Sequence, residues 1–426
     1  NSILSLYLSA FLFFVVTLFY QDHNRYMKLI HTADWHIGQS FYGYNRDNEH
    51  QMFFEWLCAV IKREKADALL IAGDVFDSPN PPASAQRLFY HFLRKATEEN
   101  PQLQIIIISG NHDSAARLEA PMPLLESMNI TIKGVIKRNE DGIDYSDLLV
   151  PIYDKEGNIL IWCMAVPYIR QGDYPPSDSY AEGVKNLYNA IYNEALKHAE
   201  HDQMIIAMGH LQATGSEISE DDQSERTVIG GLECISPEAF APGISYTALG
   251  HLHKGQRVSK RENVRYAGSP LPMSFAEKNY KHGIEVIELE KNKIINIHRE
   301  IFDAPIPLQS IPETAEPIDK VLQAIDHIDP SSKNYIEVLV SVDGPEPSLN
   351  YKIEQALENK QVRLTRTLRK SAVVSGSGEQ RIINYDEFKK ISPIEMAKEA
   401  FLKKYGSEMP TDIERLLKEA IEQTEI

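Results

Sequence analysis

The chain has 426 residues with 25% charged and 43% hydrophobic residues, which is room for two or three domains of an ordinary globular protein. Its formal net charge of -17 excludes a broad basic surface for nucleic acid, although carboxylates that hold cations are negative before the cation arrives and can still meet phosphates through it. The three cysteines, Cys58, Cys163 and Cys234, are far apart and form no CxxC pattern, so they read as free thiols of a reducing compartment rather than a zinc or redox site.

Ile3–Tyr20 is an uncharged apolar run of 18 residues, the lower limit for a membrane span. It has neither the positive flank nor the small-residue cleavage site of a signal peptide, and Met27 opens a strand at once. Residues 1–26 are therefore expected to be an extension extraneous to the working protein, with a membrane anchor as the alternative. Lys28–Thr32 reads as a strand leading into Ala33-Asp34-Trp35-His36, followed by an aromatic loop over Gln39–Arg46. Helical spacing of Met52, Phe53, Trp56, Leu57, Val60 and Ile61 predicts a helix over Asp47–Lys65. Ala68–Ala72 is an apolar strand ending in Gly73-Asp74, and Pro81-Pro82 opens a helix to about Glu98. Ile105–Ser109 is a buried strand that ends in Gly110-Asn111-His112-Asp113. Leu118–Met128 reads as helical, Ile130–Tyr168 as several short strands including Ile159–Val166, and Tyr180–Glu200 as a helix. Met204–Met208 ends in Gly209-His210, Ser245–Leu249 ends in Gly250-His251-Leu252-His253, and Arg265–Tyr266 with Gly283–Glu290 completes the sheets. Strand, motif, helix in repetition is the order of a layered α/β enzyme. Beyond about Ala304 the pattern changes to a helix over Glu313–Ile328, a strand over Tyr335–Val342, a helix over Leu349–Asn359 and a strand over Val362–Leu368, with no clustered His or Asp. Ser375-Gly376-Ser377-Gly378 is a linker, and two short amphipathic helices follow: Ser392-Pro393-Ile394-Glu395 caps the first and Thr411-x-x-Glu414 starts the second.

Four apolar strands thus end in polar residues, where open α/β sheets place their ligands. Asp34, His36, Asp74, Asn111, His210, His251 and His253 supply seven oxygen and nitrogen donors, enough for two metal ions that share a carboxylate. Asp34-x-His36 and His251-x-His253 each have period two, which on an extended backbone points both side chains one way. Imidazole and carboxylate without thiolate suit manganese, iron or zinc. Two such cations clamp a phosphate diester and activate water for in-line attack. His112 beside a ligand is then the candidate for protonating the leaving oxygen, with Asp113 as the group that orients its ring. Tyr42 and Arg46 of the aromatic loop are candidate substrate contacts, against the plainer reading that such aromatics pack.

These blocks, with Gly73-Asp74-x-x-Asp77, resemble the calcineurin-like metallophosphoesterases. The strings HTADWHIGQ, AGDVFDSPNPP, SGNHDS, ALGHLHKGQ and YAGSPLPMSF are similar to the SbcD-type nuclease subunits of bacterial double-strand-break repair complexes. The resemblance runs from Met27 to the C-terminus. It implies an α/β two-sheet sandwich with flanking helices over residues 27–305, a small α+β DNA-capping domain over 306–372, and a linker with partner-docking helices over 373–426. It further implies two manganese ions, one on Asp34, His36, Asp74 and His253, the other on Asp74, Asn111, His210 and His251, with His112 as the catalytic histidine. Asp77 stands where the archaeal and eukaryotic nucleases of this type carry a second histidine, so no catalytic role is assigned to it. The implied activity is exonuclease cleavage of double-stranded DNA ends and endonuclease cleavage of single strands or hairpins. The implied setting is a cytoplasmic homodimer, off the membrane, joined through its C-terminal helices to an SbcC-type ATPase in DNA repair, recombination and replication. A phosphomonoesterase or small-molecule phosphodiesterase of the same superfold is the alternative, but the GDxVDRG and GNHE strings of serine/threonine phosphatases are missing here.

Overall fold

A computed structural model describes residues 26–217, 234–342, 346 and 348–371, with 398, 401, 410, 413 and 414. The apolar run Ile3–Tyr20, the Ser375–Gly378 linker and nearly all of both C-terminal helices lie outside these residues. Among the described residues no helix is long and apolar enough to cross a membrane.

The chain up to Ser371 forms one compact unit and Ala372 onward a second. In chain order the first unit contains β1 (Tyr26–Thr32), α1 (Asp47–Glu64), β2 (Ala68–Ala72), α2 (Ala83–Glu99), β3 (Gln104–Ile108), β4 (Ile130–Lys133), β5 (Leu149–Tyr153), β6 (Ile159–Ala165), α3 (Tyr180–His198), β7 (Met204–His210), β8 (Tyr246–Gly250), β9 (Gln256–Arg257), β10 (Val264–Tyr266), β11 (Gly283–Glu290), β12 (Lys293–Ile301), β13 (Leu308–Glu316), α4 (Ile318–Asp326), β14 (Tyr335–Val342), α5 (Leu349–Leu357) and β15 (Arg363–Ser371). Two six-stranded sheets result, ordered β12-β11-β1-β2-β3-β4 and β9-β10-β8-β7-β6-β5. Each has a parallel centre, β1 to β4 in the first and β6, β7, β8 and β10 in the second, so the strand ends that carry polar residues point the same way. The two sheets face each other, as expected for the sandwich.

Burial on both faces explains why the central strands read as unbroken apolar runs. On β3, Ile105 and Ile107 join a core with Phe54 and Leu57 of α1 and Phe89 and Phe92 of α2. The alternate Ile106 and Ile108 join the inter-sheet core with Met208 of β7 and Ala248 of β8. The outer face of the second sheet is covered by α3 through Val184, Leu187, Tyr188 and Ile191.

Three elements depart from the sequence reading. The edge strand β12 is hidden in the charged stretch Lys293–Ile301, whose side chains are half-buried or exposed. Glu313–Glu316 belongs to β13 rather than to a helix, because Pro317 keeps the residue before it extended and the helix starts only at Ile318. Leu118–Met128 is not one helix but short turns at Ala115–Glu119, Met122–Leu125 and Glu126–Met128, interrupted at Pro121.

The cap, β13 to β15 with α4 and α5, is a three-stranded parallel sheet with a core of its own around Val321, Ile325, Val338, Val340 and Ile353. It is seated on the sandwich by a ring cluster in which Tyr335 meets Phe41 and Phe275 of the sandwich's loops. Beside that cluster, the Tyr335 hydroxyl donates to Glu49 at 2.8 Å and accepts from the Arg363 guanidinium at 2.8 Å.

Candidate metal centre

The polar strand ends converge between the two sheets. Asp34 and His36 follow β1, Asp74 follows β2, and Asn111 and His112 follow β3, all in the first sheet. His210 ends β7 and His251 and His253 follow β8, in the second. The loops are laced together: the Asp34 amide donates to the Gly73 carbonyl and the His36 amide to the Asp74 carbonyl, both at 3.0 Å. The His251 amide donates to Asp34 Oδ1 at 2.9 Å and the His112 amide to Asp74 Oδ1 at 2.8 Å.

Convergence is not achieved by an extended backbone, as the period-two spacing implies. Asp34, His36, Asp74 and His251 have φ of 54°, 46°, 48° and 103°, the left-handed region that costs a non-glycine residue on the order of 1–3 kcal/mol. Trp35 is thereby turned away into a ring cluster with Phe53, Phe54, Phe89 and Phe92, while its two neighbours face the centre. Two glycines make room: a Cβ on Gly73 would strike the His210 ring, and one on Gly110 would strike the Asp74 carboxylate.

All seven expected donor residues are brought together. One ligand atom each from Asp34, His36 and His253 lies within 4.8 Å of the others, and the same holds for Asp34, Asp74 and His210. Asp74 Oδ2 stands 3.7 Å from His36 Nε2 and 3.3 Å from His210 Nε2, between the two groups. Asp74 Oδ1 accepts the His112 amide, and Oδ2 is the oxygen that faces both imidazoles. Asn111 Oδ1 lies 2.9 Å from His210 Nε2 and 3.1 Å from His251 Nδ1.

A carbonyl or carboxylate behind each of four rings selects its tautomer. Nδ1 of His210 faces the Ala72 carbonyl at 2.9 Å, Nδ1 of His253 faces Glu277 at 3.1 Å, and Nδ1 of His36 faces Asp77 at 3.4 Å. Nδ1 of His112 lies 2.9 Å from the Asp77 main-chain carbonyl. Each ring then donates from Nδ1 and keeps Nε2 for the centre; Nε2 of His253 and His36 are 3.3 Å apart.

The charges follow the same geometry. Burial alone would lower the pKa of His210, but the Asp74 and Asp34 carboxylates push it up to about 10. Burial also opposes charging of His36, yet Asp77 and Asp74 raise its pKa. Asp74 is held well below the usual carboxylate range, against burial, by His210, His36 and His112. Imidazole and buried carboxylate thus favour each other's charged forms here, a balance that divalent cations would take over by displacing protons. The donor set fits such ions.

Three expectations need correcting. Asp113 does not orient His112: its carboxylate is buried and accepts the amides of Gly110, Val75 and Phe76 at 2.9 to 3.1 Å, so it shapes the loop. The orienting group is the main-chain carbonyl of Asp77, a residue to which the motif assigns no role. Arg46 is no surface contact either. Its guanidinium is fully buried, bonded to Glu49, Gln39 and the Pro272 carbonyl, and lies 5.1 Å from the Phe41 ring centroid. Tyr42 remains 41% exposed on an open groove of about 810 Å³ beside the cap, which Lys278, Arg366 and Lys370 also line. Glu277 escapes the sequence reading altogether, because a lone Glu two residues past an aromatic carries no local signal of the loop that folds it under His253.

The model of the calcineurin-like phosphoesterases matches residues 27–255, and that of the type 5 capsule protein repressor C-terminal domain matches residues 305–405. The chain is similar to the SbcD subunit of nuclease SbcCD from Rhodobacter capsulatus, at 35% identity over 79% of this chain and 86% of that protein. It is 30% identical to the corresponding SbcCD nuclease subunit of Escherichia coli K12, over 66% and 69% of the two chains, and 32% identical to that of Bacillus subtilis 168, over 66% and 71%.

Proposed function

Since this chain belongs to the SbcD nucleases of the calcineurin-like phosphoesterase family, we propose that it is the metal-dependent component that cuts DNA ends and hairpins within an SbcCD assembly. The observation that carries this reading is the meeting of seven carboxylate, amide and imidazole donors from both sheets around Asp74 Oδ2. Asp34, His36, Asp74 and His253 would hold one ion, and Asp74, Asn111, His210 and His251 the other. The absence of thiolate among these donors suits manganese, iron or zinc, and the family resemblance favours manganese among them. Two divalent cations bound there supply Lewis acidity to a phosphodiester and lower the pKa of the water that attacks it.

His112 is the residue for the leaving oxygen. Its amide fixes it beside Asp74, and its Nδ1–H is spent on the Asp77 carbonyl, so Nε2 is the atom that would take up a proton from water and, as imidazolium, pass it to the leaving oxygen. The groove beside the cap, lined by Tyr42, Lys278 and Lys370 and by Arg366 paired with Glu337, is where a nucleic-acid strand would lie, with cations toward phosphate and an exposed ring toward a base. SbcC is the ATPase partner, docked by the helices within 373–426, and a cytoplasmic homodimer completes the reading.

Incubation of the manganese-loaded chain with linear duplex DNA and, separately, with a phosphopeptide tests the substrate class. DNA shortening without phosphate release from the peptide is expected; the reverse would favour the phosphomonoesterase alternative.

A further inference from the structure

One short loop connects the metal centre to the cap. The turn Phe275–Glu277 carries Glu277, completely buried, with Oε1 3.1 Å from His253 Nδ1 and Oε2 accepting the Met273 amide at 2.9 Å. Two residues earlier, Phe275 belongs to the ring cluster that seats the cap: its centroid lies 5.8 Å from Phe41, in a cluster with Tyr335 of β14. One residue later, Lys278 Nζ donates to Ser310 Oγ of β13 at 2.7 Å, and that hydroxyl donates to Glu337 of β14 at 2.7 Å. The carboxylate behind a metal-site histidine is thus flanked on both sides by residues fastened to the cap.

We infer that Glu277 is a positioning residue through which the seating of the cap sets the geometry of His253, and with it the affinity for one of the two ions. This rests on the dimetal reading. The physical content is the tautomer. An anionic carboxylate can only accept, so it holds the proton on Nδ1 and leaves the Nε2 lone pair toward Asp34 and His36. Oε2 accepts the Met273 amide and Oε1 faces Nδ1 of His253, so both carboxylate oxygens stand in acceptor positions. If the cap lifts, Phe275 and Lys278 draw the turn with them and the carboxylate leaves the ring. His210 is held by the Ala72 carbonyl inside the sandwich and has no such link to the cap among the described residues. One ion is therefore conditional on cap closure and the other is not, which lets a strand lying in the groove beside the cap govern the readiness of the centre.

Glu277→Gln separates positioning from scaffolding. The amide keeps the volume and one oxygen for Met273, but presents N–H to Nδ1; the ring must then accept there and carry its proton on Nε2, where the lone pair is needed. Titration of manganese into the metal-stripped full chain by calorimetry is expected to show two ions in the wild type and, in E277Q, a roughly 10- to 100-fold weaker affinity for one of them with the other unchanged. Lys278→Ala, at an exposed side chain, should weaken the same ion severalfold, and the double variant should be no worse than E277Q, since the link is already cut. Unchanged affinities in E277Q, or losses that multiply in the double variant, would overturn the inference. Should E277Q not fold, K278A decides alone, an unchanged isotherm counting against it. A wild-type chain that takes up no ion would overturn the dimetal reading as well, whereas two ions in the wild type with E277Q unaffected would defeat this inference only.

Discussion

Removing the carboxylate of Glu49 should cost far more stability than its place in the first turn of a helix suggests. Glu49 is 2% exposed and receives both Nε and Nη2 of Arg46, at 3.2 and 3.0 Å, as well as the Tyr335 hydroxyl at 2.8 Å. Arg46 itself is fully buried. Glu49→Leu strands a guanidinium in the interior with only Gln39 and the Pro272 carbonyl as acceptors. Breaking a buried ion pair from one side costs about 3–5 kcal/mol. The lost acceptor of Tyr335 adds about 1 kcal/mol or more, and the two are not independent. Arg46→Met alone should cost about as much, because it leaves a buried carboxylate. The double variant should recover most of the loss, since replacing both partners by apolar groups of similar size is often neutral. Urea unfolding of the four proteins, read as midpoint shifts at constant slope, gives the coupling directly, and about 2 kcal/mol or more is expected. Steady-state cleavage by the folded variants supplies the control. If Arg46→Met raised the KM for DNA while leaving the unfolding free energy unchanged, the guanidinium would be working on substrate and the burial argument would be wrong.

The role of His112 is open to a separate test: His112→Gln should lower cleavage by about 10²- to 10⁴-fold while elemental analysis still finds both ions, and loss of an ion along with activity would make it a ligand. Acid should loosen the fold through two histidines outside the centre. Burial drives His31 down to about 3 and His50 down to about 4, against about 6.5 in the unfolded chain. Their contribution is whole above pH ~6.5 and drains as pH falls toward those values, because the unfolded state takes the protons first; at about 1.4 kcal/mol per unit it amounts to several kcal/mol. Unfolding free energies between pH 7 and 4 should fall with a slope that His31→Gln flattens, and an identical slope in the variant would exclude His31 as the source. Deletion of Tyr385–Ile426 should leave manganese-dependent cleavage intact and abolish co-purification with the ATPase; a truncated chain that still binds it would move the docking site elsewhere.

What can be read along the chain is whatever a single strand and its following turn contain. Ile105–Asp113 announces a buried strand, a sharp turn and three polar groups because all of these are local, and the same holds at Asp74, His210 and His251. Tertiary facts are illegible. Nothing near Arg46 tells that Glu49 lies one helical turn on and under the cap, so an arginine among aromatics looks like a surface contact. Asp77 contributes its main-chain carbonyl to His112, and every residue type has one. Glu277 matters through a loop closure of 24 residues back to His253. Among the elements, Pro317 is the missed punctuation: the pattern over Glu313–Ile328 is helical in spacing only after it.

The division of the centre between two sheets has a consequence for the order in which the protein comes into being. On the ribosome Asp34, His36, Asp74 and Asn111 are made first, and His251 and His253 only after β7 and β8 have emerged. Even then β1 lacks its outer neighbour, because β11 comes from Gly283–Glu290. A partly translated chain therefore holds the donors of the first sheet without those of the second, and the centre is whole only once synthesis has passed Glu290.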